Sequence, residues 1–113
     1  MSTPERMTVG AALRALETAD DPLYAVLLEH GTLEIGFYRP DGVDHQQPHD
    51  RDEVYLVQSG SGTFHCGDTR QPFEAGEALF VAAGQVHRFE AFSADFTAWV
   101  IFYGPRGGEA ASL

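Results

Sequence analysis

Turn-forming residues divide most of this chain into short apolar runs, and that spacing limits the folds open to it. From residue 23 onward each run ends at a cluster that contains Gly, Pro, Asp, Ser or Ala. The runs are Leu23–Glu29, Leu33–Arg39, Glu53–Gln58, Gly62–Cys66, Gln71–Glu74, Ala78–Ala82, His87–Phe92 and Phe96–Tyr103. Short runs at such regular intervals are typical of β-sandwiches and barrels. Because no helical segment separates them, a parallel α/β sheet is disfavoured. The sequence predicts an all-β fold spanning about 23–103.

One short helix is predicted ahead of the strands, over about residues 8–18. Thr8 is a suitable N-cap, and the residues after it repeat at helical spacing to form one apolar face. These apolar residues are Val9, Ala12, Leu13 and Leu16. Pro22 ends the helical region, since the residue before a proline avoids helical backbone angles.

The length of the chain fits a single domain that covers residues 1–113. We find no internal repeat and no composition shift that would mark a domain boundary. The last ten residues, 104–113, are small and include Pro105 and Gly107-Gly108. This composition predicts a flexible tail.

The charge of the chain excludes two classes of partner. Seventeen acidic residues and seven basic residues give a formal net charge of −10. A nucleic-acid-binding protein needs a basic surface, and an anionic membrane repels an acidic one, so neither partner is expected. The first residues, Met1–Arg6, lack the apolar core of a signal peptide, and the longest apolar runs are too short to span a bilayer. A cytoplasmic location is therefore expected.

Two segments bring together residue types that bind metals. Gln47 and His49 are two residues apart, so in an extended chain their side chains project from one face, and Pro48 keeps Gln47 extended. Glu53 opens the next strand with the same parity as His49. A second segment delivers His87 after a glycine turn. Two histidines and a glutamate form a 2-His-1-carboxylate set, which suits Fe(II), although the same atoms also bind other divalent metals.

These two segments resemble the two sequence motifs of the cupins. The first motif contains His-x-His, three or four residues, Glu, six residues and Gly, while the second contains Gly, five residues, Pro-x-Gly, two residues, His, three residues and Asn. The residues that match at these spacings are His49, Glu53, Gly60, Gly76, Gly84 and His87. Three positions depart from the motifs, since Gln47, Ala82 and Ala91 replace a histidine, the proline and the asparagine.

The resemblance implies a fold, a metal and a ligand set. The expected fold is the cupin double-stranded β-helix, a jelly-roll barrel, holding one divalent ion such as Zn, Fe, Mn, Ni or Co. The implied ligands are His49, Glu53 and His87, with Gln47 at the position of the missing histidine. Three interpretations of Gln47 stay open: it is a weak fourth ligand, it binds a metal-bound water, or His45 replaces it. The alternative to a metal site is a hydrogen-bonded polar cluster without an ion.

The same parity argument gives candidate residues for a substrate pocket. Tyr55 and Val57 share the parity of Glu53, Phe89 shares that of His87, and His45 lies nearby in sequence.

The resemblance also implies a function and a partner. Similar small cupins include metal-dependent cyclases, isomerases and dioxygenases, so we expect an enzyme acting on a small organic molecule that is aromatic, polyketide-like or an enolisable carbonyl compound. The alternative is a non-catalytic cupin that binds a small molecule. Cupins of this size commonly pair, and a homodimer that uses apolar residues such as Leu27 and Leu33 is predicted.

Overall fold

The structure, a computed structural model, describes residues 6–110, and within this range it contains one helix and eight strands. The helix α1 is Val9–Thr18. The strands are β1 Tyr24–His30, β2 Leu33–Tyr38, β3 Asp52–Ser59, β4 Ser61–Cys66, β5 Thr69–Glu74, β6 Ala78–Val81, β7 His87–Glu90 and β8 Thr97–Tyr103. Each predicted run overlaps one strand, and the predicted helix is present.

The strands form two antiparallel sheets. A five-stranded sheet has the order β1-β2-β8-β3-β6, and a three-stranded sheet has the order β5-β4-β7. The prediction of an all-β fold with one short helix is confirmed. Because β8 lies between β2 and β3, the chain must cross from one part of the sheet to another, and residues distant in sequence share a face.

The core lies between the two sheets and is rich in aromatic residues. Alternate residues of β3 and β8 point inward, as the buried positions Tyr55, Val57 and Val100 show. Phe89 of the three-stranded sheet packs edge-on against Tyr55, with ring centroids 4.9 Å apart. Phe64 lies 5.1 Å from Phe89 on the same measure. The contact between Tyr55 and Phe89 joins the two sheets directly, so the interior next to it is rigid enough to hold polar side chains in fixed positions.

The helix α1 covers part of the outer face of the five-stranded sheet. Its N-terminus is capped as predicted, since the Thr8 hydroxyl accepts a hydrogen bond from the Ala11 amide at 3.1 Å. Its buried residue Leu16 packs in a cluster with Phe37 of β2. Leu27 also packs in this cluster and so faces the helix, while the predicted homodimer stays a prediction. Within residues 6–110, no helix is long and apolar enough to cross a bilayer.

The chain after β8 folds back onto the segment that precedes β3. The Gly107 amide donates to the Asp50 carbonyl at 2.6 Å, and the Glu109 amide donates to the Asp52 carboxylate at 2.9 Å. The other oxygen of Asp52 accepts from the Ala83 amide at 3.0 Å. The prediction of a flexible tail from residue 104 is therefore wrong as far as Glu109, because backbone amides there have specific acceptors. Residues 111–113 lie outside the described residues.

One residue after β7 has a strained backbone. Ala91 has a φ of 49°, and it is the only residue other than glycine with positive φ in the described part of the chain. A side chain in this left-handed region costs about 1–2 kcal/mol, whereas asparagine, the residue of the cupin motif at this position, tolerates it better. The replacement of the motif asparagine by Ala91 therefore costs conformational energy in this fold.

We predict that Ala91→Gly raises the free energy of unfolding by about 1 kcal/mol, because glycine adopts positive φ without strain. Ala94→Gly is the matched control, since Ala94 is also exposed but does not have positive φ. It should lower stability by about 0.4–1 kcal/mol through the greater freedom of the unfolded chain. Urea denaturation of both variants checks this, and equal effects at the two positions would contradict the assignment of strain.

Candidate metal centre

Three ionisable side chains predicted to be ligands meet inside the barrel. His49, Glu53 and His87 each offer one ligand atom, and these atoms all lie within 4.8 Å of one another. Glu53 is fully buried and His87 is 2% exposed, while His49 is half-buried. Since Glu53 belongs to the five-stranded sheet and His87 to the three-stranded sheet, the cluster forms only when the two sheets pack together.

The backbone around the cluster fixes the direction of each side chain. In β3, Glu53 is paired with Phe102 of β8 and Val81 of β6, so its side chain points inward with theirs. The Gly84 amide donates to the His49 carbonyl at 2.7 Å, which joins the His49 segment to the loop before His87. Glu53 Oε1 then lies 3.4 Å from His87 Nε2 and 3.9 Å from His49 Nε2.

The Glu53 carboxylate lacks a partner for its charge. Neither of its oxygens has a hydrogen-bond partner among the described residues. Burial raises the pKa of Glu53 to about 8, and the nearby Tyr55 hydroxyl offsets only part of this effect. Burial also lowers the pKa of His49, and the neighbouring His87 adds to that shift. A buried carboxylate without a hydrogen bond is costly, and a bound cation is one way to remove that cost.

The hydrogen bonds around His87 leave an excess of acceptors. His87 Nδ1 donates to the Gln85 carbonyl at 3.0 Å, so Nε2 of the neutral ring is an acceptor. The Tyr55 hydroxyl lies 3.0 Å from this Nε2 and 2.8 Å from Gln46 Oε1, but it has one proton for the two acceptors. A cation on His87 Nε2 would leave the Tyr55 proton for Gln46. The donor set therefore fits a metal ion.

The chemistry of the cluster suits a divalent transition metal. Two imidazoles and one carboxylate form the 2-His-1-carboxylate set, and zinc sites with three protein ligands also use histidine with glutamate. His49, Glu53 and His87 can therefore hold one divalent ion.

The glutamine that reaches the histidines is Gln46, whereas Gln47 is exposed. Gln46 Oε1 lies 3.2 Å from His49 Nε2, and its side-chain nitrogen donates to Asp44 Oδ2 at 2.9 Å. The alternation of side chains along a strand predicted that Gln47 and His49 share one face. Residues 44–49 form no strand, so this alternation does not apply there. One local signal was available. Asp44 accepts from the Gln46 amide two residues later, which is the pattern of an Asx turn.

The predicted pocket residues lie at different depths. Tyr55 contributes its hydroxyl to the site, but its ring, Val57 and Phe89 are buried in the core cluster. His45 is exposed. A cavity of about 170 Å³ adjoins the metal cluster. Its lining consists of Asp21, Tyr24, Tyr38, Gln46, His49, Glu53, Val100 and Phe102.

Most of the residues that line this cavity could not be predicted from the alternation of side chains within a single segment. Tyr24 and Tyr38 come from β1 and β2, and they reach the site because β8 joins β2 to β3. Sequence reasoning therefore missed them, together with Asp21 and Gln46.

Comparison with known proteins identifies relatives of the sequence and of the fold. Residues 35–102 match the sequence model of the cupin domain, Cupin_2. An uncharacterized protein of Streptomyces coelicolor is 34% identical over 95 residues, covering 82% of this chain and 90% of the relative.

Two solved structures share the fold at low sequence identity. A Ralstonia eutropha protein, provisionally named a mannose-6-phosphate isomerase, is 20% identical over 90% of this chain and 100% of its own, with a TM-score of 0.68. A Klebsiella pneumoniae protein with a double-stranded β-helix domain is 21% identical over 88% and 90%, with a TM-score of 0.67. The expected double-stranded β-helix is thereby confirmed.

The raised pKa of Glu53 predicts a pH-dependent effect of Glu53→Gln on the metal-free protein. Between the ordinary pKa of 4.5 and about 8, the folded wild type holds a proton that the unfolded chain loses. Its stability should therefore fall as pH rises through this window, relative to the neutral variant. Urea denaturation with a chelator at several pH values measures the difference.

Glu17→Gln serves as the control for this experiment, since Glu17 is exposed on α1. The difference in free energy of unfolding between Glu17→Gln and the wild type should change little with pH. A stability difference for Glu53→Gln that is equally flat across the window would contradict the burial of an unpaired carboxylate.

Proposed function

This chain belongs to the cupin family, and from that premise we propose that it is a small metal-dependent enzyme that acts on an organic carbonyl compound. The observation that carries the proposal is the buried Glu53 carboxylate, which has no hydrogen-bond partner within residues 6–110 and lies beside two imidazoles. In the proposal, His49, Glu53 and His87 hold one divalent ion, which is Zn, Fe, Mn, Ni or Co. When bound, such an ion supplies Lewis-acid chemistry toward a carbonyl oxygen or, in the case of iron, chemistry with O₂.

The side chains around the cluster have separate roles in this proposal. Phe102 packs its ring against His49, with centroids 5.0 Å apart, and with Val100 it gives the cavity an apolar side that excludes water. Tyr55 holds a proton between Gln46 and His87. Asp21 is the carboxylate of the lining outside the metal cluster, and it is our candidate for accepting a proton from a bound substrate.

The size of the cavity bears on the choice of substrate. A volume of about 170 Å³ is below the roughly 300–1,000 Å³ typical of ligand sites. This favours a small enolisable carbonyl compound over an aromatic or polyketide-like one, and an isomerase over a cyclase. The provisional name of the Ralstonia eutropha protein is also that of an isomerase, but at 20% identity it supports the fold alone.

Non-catalytic binding of a small molecule is the second candidate function. The hydroxyls of Tyr24 and Tyr38 in the cavity donate to Glu34 and Asp44, at 2.8 and 2.7 Å. Groups whose protons are engaged in this way suit recognition better than proton transfer. Product formation in a screen of small carbonyl compounds distinguishes the enzyme from the binder, because a binder shows saturable binding without turnover.

We predict that the wild type binds one zinc ion per chain, and that His49→Ala and His87→Ala each abolish measurable binding or weaken it by more than about a hundredfold. Isothermal titration of the chelator-treated protein measures this. His30→Ala is the control, since His30 is exposed at the end of β1. Unchanged zinc affinity in both ligand variants would rule out this site.

A matched pair of glutamine variants tests which glutamine side chain contributes to metal binding. Gln46→Ala should weaken zinc binding by about 10–100-fold, because Gln46 Oε1 lies beside His49 and receives the Tyr55 proton. Gln47→Ala should leave the affinity unchanged, because its side chain is exposed. The opposite result would restore Gln47 as the partner of the metal.

A further inference from the structure

The two phenol groups that line the cavity, Tyr24 and Tyr38, can accept hydrogen bonds from a ligand, but their own protons are already engaged. The Tyr24 hydroxyl donates to Glu34 Oε2 at 2.8 Å, and the Tyr38 hydroxyl donates to Asp44 Oδ1 at 2.7 Å. Each phenol therefore keeps only its oxygen lone pairs for a ligand.

Two further polar residues lie in the wall outside the metal cluster. The side-chain amide of Gln46 donates one of its two protons to Asp44 Oδ2 at 2.9 Å, and its carbonyl oxygen is occupied by the Tyr55 hydroxyl and His49. Asp21 is a carboxylate and an acceptor. Outside the metal cluster, the wall thus offers free acceptors from Asp21, Tyr24 and Tyr38.

Among the described residues, no lysine or arginine lines the cavity. Arg51 comes close, since its guanidinium lies 5.3 Å from the centre of the Phe102 ring, but it is held elsewhere. It donates to the Thr32 carbonyl at 2.9 Å, and it lies 3.4 Å from Glu34 Oε1. Glu34 therefore engages both the proton of Tyr24 and the charge of Arg51.

Gly36 makes this arrangement possible. A Cβ at Gly36 would lie 2.2 Å from the Tyr24 hydroxyl oxygen and 2.3 Å from the ring carbon that bears it. Only glycine lets the phenol of β1 lie across β2 and reach Glu34. The position of Tyr24 is thus built into the sheet.

From this acceptor-rich wall we propose that the ligand of the cavity is a small neutral or cationic molecule that carries hydroxyl or amino donors, and that carboxylates and phosphate esters bind more weakly. An anion would bring more acceptors to a wall whose phenol protons are already engaged. The charges agree, because a divalent ion would just balance Glu53 and Asp21 and leave no net attraction for an anion. This inference rests on the proposed function for the use of the cavity, and it adds the class of substrate.

Three ketones of similar size test the proposal: hydroxyacetone, which has a donor, methoxyacetone, which has none, and pyruvate, which is an anion. We expect hydroxyacetone to bind at least about tenfold more tightly than either of the others, which is the ratio that one hydrogen bond gives. NMR titration measures the affinities in both metal-free and zinc-loaded protein. Equal affinities for hydroxyacetone and methoxyacetone, pyruvate binding as tight as that of hydroxyacetone, or no saturable binding of hydroxyacetone would each overturn the proposal.

Two variants test which side chains cause the preference for hydroxyacetone and the weak binding of pyruvate. Tyr24→Phe removes one acceptor and should reduce the preference for hydroxyacetone over methoxyacetone several-fold. Glu34→Gln removes the charge that holds Arg51 and should improve pyruvate binding several-fold. Glu29→Gln is the matched control, because Glu29 is exposed and is paired with Glu34 across β1 and β2. An equal gain in pyruvate affinity from Glu29→Gln would show a general charge effect and overturn the role of Glu34.

The metal-free titration separates this proposal from the proposed function. If zinc does not bind but the metal-free protein prefers hydroxyacetone, the metal site fails and the acceptor-rich wall stands. If zinc binds at the cluster but the three ketones are not distinguished, the wall fails and the metal site stands.

Discussion

The burial of the Glu53 carboxylate is the constraint on which the rest of the site depends. β3 lies between β6 and β8, so an inward residue at this position is removed from the outer surface, and the Glu53 oxygens have no hydrogen bond among the described residues. Ionising such a group costs several kcal/mol unless a cation or a set of donors is supplied. His49 and His87 approach the same point from two other segments, and this convergence is what allows the three side chains to hold one metal ion.

Asp44 shows how the same fold stabilises a buried carboxylate without a metal. It is 4% exposed, and it receives protons from the Tyr38 hydroxyl, the backbone and side chain of Gln46, and the Phe89 amide. These bonds connect β2, the loop before β3 and β7, so Asp44 holds the two sheets together at the cavity. The contrast with Glu53 is informative, because Asp44 is saturated with donors, whereas Glu53 has none in the described part of the chain. The same bonds explain why the Tyr38 proton is unavailable to a ligand, since Asp44 accepts it.

Much of the fold could be predicted because its signals are local. Short apolar runs ended by turn residues gave all eight strands, and Thr8 with its apolar repeat gave the helix. The three metal-binding candidates were also accessible, because their spacing matches two motifs and His49 and Glu53 are close in sequence. In contrast, the tail prediction failed because composition does not show that Asp50 and Asp52 accept from residues 107 and 109. Gln46 was missed because residues 44–49 are not a strand, and Tyr24 was missed because its place depends on the order of strands in the sheet.

The most direct test of the account is anomalous diffraction from crystals of the zinc-loaded protein, collected on both sides of the zinc absorption edge. The account predicts one anomalous peak per chain, within bonding distance of His49, Glu53 and His87, with Gln47 pointing to solvent. A peak at another position, or none in protein shown by elemental analysis to contain zinc, would contradict it.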